Sequence, residues 1–406
     1  MDGVDNHTGV ITGGPTSLPP NTQRDAYRLP TEVVPTHYDL LFKTDLEGLT
    51  FEGEASIDLQ VNGKTNSVQF NLNPSVQLTS VSLEIEGQGP IEYSPPKAVR
   101  HEETEETPAE ANRESEPTGV EVDLESVKAG EIKVDKAQER FSLGVPEGVL
   151  KAGGKVRVKA AWKDVLGGSM MGYYRSSFPH PDDKDGKKVK DTYYALTQFE
   201  PTAARRAYPA WDEPALKATY SIGLVGRKGL VSLGNMPVEK EAAWNGSIEF
   251  GSGVTLGQGL SKSEGEWTVT KFEETPLVSS YLVAFAHGPF ASLSSEYTSP
   301  LTGKTIPLKI YATPDLIGQA QFALDVKRLA LPVYEEIFDV PYPLPKLDTL
   351  VAHDFDAGAM ENWGLITGRT TAYLFDEKKS SLAAKKRIID VQSHECAHMW
   401  FGNIVS

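Results

Sequence analysis

Residues 54–61 read Glu-Ala-Ser-Ile-Asp-Leu-Gln-Val, so that Ala55, Ile57, Leu59 and Val61 alternate with Glu54, Ser56, Asp58 and Gln60. Successive side chains of a strand point to opposite faces, and a period of two therefore lines one face of a sheet with apolar groups and the other with polar ones. The same period recurs at Val68, Phe70 and Leu72, at Val81, Leu83 and Ile85, and at Val156, Val158 and Ala160, with Gly, Pro and Asn between the runs. Repeated short alternating strands separated by turn residues predict an antiparallel sheet domain with one face buried. The expected architecture is a saddle or sandwich, not a doubly wound sheet.

This β-rich texture extends over residues 26–300, after a polar, Gly- and Pro-containing start at 1–25 that reads as flexible. Two stretches interrupt it. The segment from about Pro95 to Gln138 carries few large apolar residues before Val120 and reads as a disordered acidic insert. His180 to Lys190 is a second charged insert, expected to connect two strands. Near residue 313 the period changes. Thr313 and Pro314 fit the cap and first position of a helix, and Phe322, Val326, Leu329, Val333 and Ile337 then recur at helical spacing. Pro332 predicts a kink or break inside that helix. A strand at Leu347 to Ala352, a loop around Asp354 to Asn362 and a helix from Ser381 to Phe401 follow, with Gly402 placed to end the last.

Of the net charge of −16 over 406 residues, most comes from residues 101–126, which hold ten carboxylates and one arginine. The acidity is local, a solvated loop rather than a docking face, and the composition gives no sign of nucleic-acid binding. A single cysteine, Cys396, excludes an intrachain disulfide and a Cys-based metal cluster, which fits a reducing compartment. Neither a signal-peptide pattern nor a run of membrane-spanning length is present, so the expected location is cytoplasmic.

The strongest chemical motif is His394-Glu395-Cys396-Ala397-His398, an HExxH pattern on the last predicted helix. Residues four apart share one helix face, so His394 and His398 can offer their imidazoles to one Zn2+ ion. Glu395 lies about 100° around the helix and can take a proton from metal-bound water without being a ligand. Cys396 between the histidines points away from their face and is expected to pack structurally. His353, ahead of the loop at 354–362, is expected to make a local hydrogen bond at a strand end.

Some thirty residues upstream lies Gly358-Ala359-Met360-Glu361-Asn362-Trp363-Gly364. Small residues at Gly358 and Ala359 leave a strand edge open for an extended peptide to add itself. Glu361 then places a carboxylate where a free α-ammonium would end, a charge-assisted contact that a capped peptide cannot make. Farther upstream stand Gln198-Phe199-Glu200-Pro201-Thr202, Arg205, Arg206 and Trp211-Asp212-Glu213-Pro214. Arg205, Arg206, Asp212 and Glu213 are expected to form internal ion pairs.

In these motifs and their order the sequence resembles the zinc aminopeptidases of the aminopeptidase N and puromycin-sensitive aminopeptidase family, from about Leu29 onward with the acidic insert unmatched. The resemblance implies an α+β multidomain chain, with an antiparallel sheet domain at 26–300 followed at 301–406 by the first part of a thermolysin-like catalytic domain. It implies that His394 and His398 hold Zn2+ and that Glu395 is the general base. Gln198, Glu200, Gly358, Ala359, Met360, Glu361 and Asn362 would bind substrate, a peptide with a free N-terminus. Ala203, Ala210, Cys396 and Met399 depart from the usual Asp, Cys, Leu and Gln. The family's third ligand, a Glu after an eighteen-residue spacer, would fall at about position 417, past Ser406. The expectation is therefore a C-terminally truncated member, inactive alone, with apolar surface at Trp400, Phe401, Ile404 and Val405. A leukotriene-hydrolase-like enzyme and a non-catalytic module that captures peptide N-termini are the other readings.

Overall fold

The computed structural model describes residues 27–97, 127–179, 191–262 and 264–405. The alternating run 54–61 lies in the strand Thr50–Val61, at the centre of an eight-stranded sheet. It pairs antiparallel with Val33–Asp45 on one side (Leu40 opposite Ala55) and with Lys155–Val165 on the other (Ala55 opposite Ala160). Ala55, Ile57, Leu59 and Val61 are buried, as the period requires. One pair in this sheet, Val33–Asp45 with Thr219–Arg227, is parallel. The outer face is also less bare than alternation suggests. Leu41 and Val225 pack there with Phe250, Leu256, Trp267 and Val269 in a separate small core, and Glu54 accepts the backbone N–H groups of Gly257 and Gly259.

On the inner face a three-stranded sheet (Ser67–Asn71, Ile132–Asp135, Arg140–Gly144) and a four-stranded sheet (Gly172–Phe178, Thr192–Gln198, Val231–Gly234, Phe285–Gly288) close the core. Phe42 lies among Phe51, Trp162, Tyr173 and Phe285, with ring centroids 4.6 to 6.3 Å away. Trp162 lies so close over Gly53 that a Cβ there would meet the indole at 2.3 Å, so only glycine fits at that position. Residues 1–26, 98–126 and 180–190, which include most of both inserts, lie outside the described residues. The acidic insert ends earlier than its composition suggests. Val127 is buried, and Ile132–Asp135 pairs with Arg140–Gly144 although Lys133 and Asp135 made it read as loop.

The C-terminal part is built on a five-stranded sheet in the order Ala291–Thr298, Thr305–Ala312, Leu347–Ala352, Leu365–Arg369, Ala359–Met360. Its first strand starts about ten residues before the boundary drawn from sequence. Helices α1 (Gln321–Phe338) and α3 (Leu382–His398) pack on one another and on this sheet, and the short α2 (Thr370–Tyr373) lies between them in sequence. The chain is thus an α+β protein with a β-rich first part.

Two expectations about the helices need correction. Thr313 and Pro314 do not start α1. Leu316 and Ile317 turn back on the Thr313 carbonyl, a short 3-10 turn follows, and the α-helix begins at Gln321 and runs through Pro332. Its buried face is also not the one chosen by periodicity: Leu329, Val333 and Ile337 are exposed, whereas Leu324, Lys327, Leu331 and Glu335 face the core. Both charged groups are satisfied there. Lys327 donates to the Leu347 carbonyl and to Thr349 Oγ1, and Glu335 accepts from Tyr297 OH (3.0 Å), the Tyr342 N–H (2.8 Å) and Ser299 Oγ. At the other end of the chain, Phe401, Ile404 and Val405 are exposed as expected, but Trp400 is buried and donates to the Val340 carbonyl at 2.9 Å.

His287 generates a prediction. It is buried in the strand Phe285–Gly288, with Nδ1 3.0 Å from Ser232 Oγ, and burial pushes its pKa down to about 4. A histidine held neutral in the fold but titrating at its ordinary value in the unfolded chain favours unfolding as pH falls from about 6.5 to 4. That contribution is of the order of 3 kcal/mol, fully present as stability above pH 6.5. His287→Gln is expected to flatten the loss of thermal stability between pH 6.5 and 4; an unchanged slope would show that His287 is not the titrating group.

Candidate active site

Helix α3 starts at Ser381, whose hydroxyl accepts the Ala384 N–H, and it buries Ile388, Val391, Gln392, Glu395 and Cys396 against the sheet and α1. That choice of buried face leaves His394 exposed and His398 half-buried on the cleft side. Their Nε2 atoms stand 3.0 Å apart, one helical turn from each other. The helix ends at His398, three residues earlier than expected, because the next N–H groups tighten onto i−3 carbonyls: Met399 on Cys396 and Trp400 on Ala397. His398 Nδ1 lies 2.8 Å from the Phe401 carbonyl. A carbonyl only accepts, so Nδ1 carries the hydrogen and Nε2 keeps its lone pair for the cleft.

Glu395, on the same helix, is 5% exposed, and among the described residues its Oε2 is buried with no hydrogen-bond partner. Burial, then the negative charges of Glu361 and Glu200, push its pKa up to about 8. Glu200 is raised as well, by loss of hydration and then by Glu361, with His398 opposing. Glu200, Glu361 and Glu395 thus feel one another's charge, and Glu200 also feels His398, so a positive charge arriving between the carboxylates would be favoured. Cys396 takes no part: it is fully buried, with Gln392 Nε2 3.3 Å from its sulfur.

The loop carrying Glu361 is fixed from several sides. Strand Leu347–Ala352 leads to His353 and Asp354, which are held by the first domain. The His353 N–H donates to Tyr194 OH (2.8 Å), Tyr174 OH donates to the Asp354 carbonyl (2.8 Å) and Ser176 Oγ donates to Asp354 Oδ2 (2.8 Å). His353 Nδ1 lies 3.2 Å from Tyr194 OH, the local contact expected of a strand-end histidine. The Gly358 carbonyl accepts from the Arg369 N–H, and Ala359–Met360 pairs antiparallel with Thr367 and Gly368 at the sheet's edge, leaving its other edge without a neighbouring strand among the described residues. Met360 and Asn362 are buried, the Asn362 amide donating to Thr367 Oγ1 at 3.0 Å, while Glu361 between them is half-buried. Gly364 closes the turn at φ +85°, and a Cβ there would stand only 2.2 Å from the Asn235 carbonyl oxygen.

Gln198 ends the strand Thr192–Gln198, nearly buried, and Glu200 follows in an exposed turn. Of the four residues expected in internal ion pairs, Arg205 and Asp212 pair (3.0 Å), with Glu139 as a second partner of Arg205 (3.4 Å); Glu213 instead accepts the Leu29 N–H, and Arg206 makes no ion pair among the described residues. Two residues at the cleft escaped the sequence reading. Tyr281 lies in the field of Glu361 and Glu200, which together with burial raise its pKa, and Asn403 donates to the Glu361 carbonyl at 2.9 Å. Neither belongs to a local motif with a chemical meaning, so no sequence signal marked them.

The model of the peptidase M1 N-terminal domain matches residues 34–251, more than half of the chain, and that of the peptidase family M1 domain matches residues 322–406. The chain belongs to the peptidase M1 family. Aminopeptidase M1 of Arabidopsis thaliana is 36% identical over 93% of this chain and 35% of its own length. Human endoplasmic reticulum aminopeptidase 1 is 34% identical over 93% and 33%, and the alanine/arginine aminopeptidase of Saccharomyces cerevisiae 33% over 93% and 36%. The chain spans about a third of the length of these curated M1 relatives. No helix among the described residues is long and apolar enough to cross a membrane.

The two imidazole nitrogens, 3.0 Å apart, are donors of the kind a borderline divalent cation such as Zn2+ takes. Among the described residues no group of three or more His, Cys, Asp or Glu is placed to hold a metal ion. Titration with Zn2+ is expected to show one site, weakened at least tenfold in His394→Ala and His398→Ala and unchanged in Cys396→Ala. Retained affinity in both histidine variants would place the metal elsewhere.

Proposed function

We propose that this chain carries the substrate-recognition face and the first two metal ligands of a zinc aminopeptidase, which removes single residues from peptide N-termini. The observation that carries the reading is the pair of His394 and His398 Nε2 atoms 3.0 Å apart on the helix that also carries Glu395, whose buried oxygen has no partner among the described residues and whose pKa is raised by burial and then by Glu361 and Glu200. In this reading the peptide lies along the free edge of Ala359–Met360 as an added strand, with the small Gly358 and Ala359 letting the backbones approach. Its α-ammonium is held by Glu361 and Glu200, and Gln198 lines the pocket of the first side chain. Met360 and Asn362 keep the Glu361 turn in place from the buried side. His394 and His398 would hold Zn2+, which polarises a water molecule and the scissile carbonyl when bound. Glu395 takes the proton of the attacking water and later delivers it to the leaving amine.

Two Nε2 donors fall short of the three protein ligands of a catalytic zinc site, so the 406-residue polypeptide alone is expected to turn over aminoacyl substrates negligibly. We place the division between the sheet domain and the catalytic part between Gly288 and Ala291, where the strand pairing changes sheets. A cytoplasmic location belongs to the same proposal.

The test is discrimination between a short peptide and its N-acetylated form. The free peptide is expected to bind at least tenfold more tightly, and Glu361→Gln to remove most of that preference, corresponding to one or two charge-assisted hydrogen bonds. Equal affinity for the two peptides would sink the reading. Undiminished binding of the free peptide without Zn2+ would favour a non-catalytic capture module.

A further inference from the structure

The tripeptide Phe401-Gly402-Asn403 ties two distant segments to the end of helix α3. His398 Nδ1 donates to the Phe401 carbonyl at 2.8 Å, Tyr281 OH donates to the Gly402 carbonyl at 3.2 Å, and Asn403 Nδ2 donates to the Glu361 carbonyl at 2.9 Å. The turn is closed on itself by Gly402 N–H to Val405 O (2.7 Å) and Val405 N–H to Trp400 O (3.2 Å). Gly402 has φ +110°, and a Cβ there would stand 3.2 Å from His398 Nδ1 and 3.8 Å from Glu361 Oε1. The turn therefore sits between the imidazole and the carboxylate. Asn403 is only 2% exposed, so its side chain is fixed by packing rather than swinging in solvent.

Among the described residues, the other hydrogen bonds here hold the neighbours of Glu361 and not Glu361 itself. Asn235 Nδ2 takes the Trp363 carbonyl, Asn362 takes Thr367, and Met360 pairs with Thr367 in the sheet. At the residue whose carboxylate must meet an ammonium, the contact is Asn403. A hydrogen bond at a backbone carbonyl fixes the peptide plane, and with it the direction in which Cβ and the carboxylate leave the chain.

We propose that Asn403 is a positioning residue for Glu361, with Tyr281 acting through the Gly402 carbonyl, so that one turn sets the spacing between the ammonium-binding carboxylate and the metal-binding His398. The inference rests on the reading of Glu361 as the ammonium site. It assigns Asn403 no contact with substrate. Its loss changes selectivity for a free N-terminus and leaves the rest of the peptide contacts as they were.

The experiment measures affinities of the 406-residue chain for a pentapeptide and for its N-acetylated form, in the unsubstituted protein, Glu361→Gln, Asn403→Ala and Tyr281→Phe. Asn403→Ala is expected to shrink the preference for the free peptide about tenfold and Tyr281→Phe about threefold, with affinity for the acetylated peptide unchanged in both. A purely structural role would weaken both peptides alike, and that outcome overturns the proposal. If the unsubstituted chain discriminates, Glu361→Gln does not, and the other two variants keep the full preference, this inference alone fails. If the unsubstituted chain does not discriminate, the reading of Glu361 fails and the inference falls with it. Should Asn403→Ala not fold, Tyr281→Phe, which loses one hydroxyl of a half-buried ring, decides the matter.

Discussion

Three carboxylates, Glu200, Glu361 and Glu395, share one cleft, and one of them is nearly sealed from water with an oxygen that nothing in the described chain satisfies. Like charges brought together out of water repel, and an unpaired buried acceptor forfeits the hydration it had in the unfolded chain. No fold gathers such groups without stabilisation from elsewhere. Here the scaffold is over-determined: α3 is packed on the sheet and α1, and the Glu361 loop is bonded to the first domain at Asp354 and His353 and to the α3 end at Asn403. The rigidity of the surroundings keeps the carboxylates together, and in the proposed reading the cost of assembling them would turn into selectivity for positive charge.

That constraint explains why a β-rich domain stands in front of the catalytic sheet. Tyr174, Ser176 and Tyr194 come from its four-stranded sheet, and the turn after the strand Thr192–Gln198 brings Glu200 to the cleft. The aromatic cluster around Phe42 and the close fit of Trp162 over Gly53 make that domain a firm platform. In the proposed reading, recognition of an N-terminus would be divided between two sheets.

Much of this was legible in the sequence where the signal is local. The period of two located the strands around Ala55, Val68, Val81 and Val156, and the spacing of His394 and His398 foretold that their imidazoles meet, because helix pitch alone decides which side chains share a face. Legibility failed where burial depends on distant partners. Periodicity chose Leu329, Val333 and Ile337 for the core of α1, whereas the sheet accepts Lys327 and Glu335 because backbone carbonyls and tyrosine and serine hydroxyls wait there. Ile132–Asp135 read as loop because its charges hid a strand paired to Arg140–Gly144. Tyr281 and Asn403 meet their partners across 121 and 42 residues, a separation at which composition and spacing carry no information.

The account turns on which end of a peptide the carboxylates hold and where the metal sits relative to them. The most direct measurement is a crystal structure of the chain soaked with Zn2+ and a dipeptide amide, with anomalous diffraction at the zinc edge. The account requires one anomalous peak on the His394 and His398 Nε2 atoms and the ligand's amino nitrogen within hydrogen-bond distance of Glu361 and Glu200. A peak at another site, or a dipeptide bound with its amino group away from both carboxylates, would contradict it.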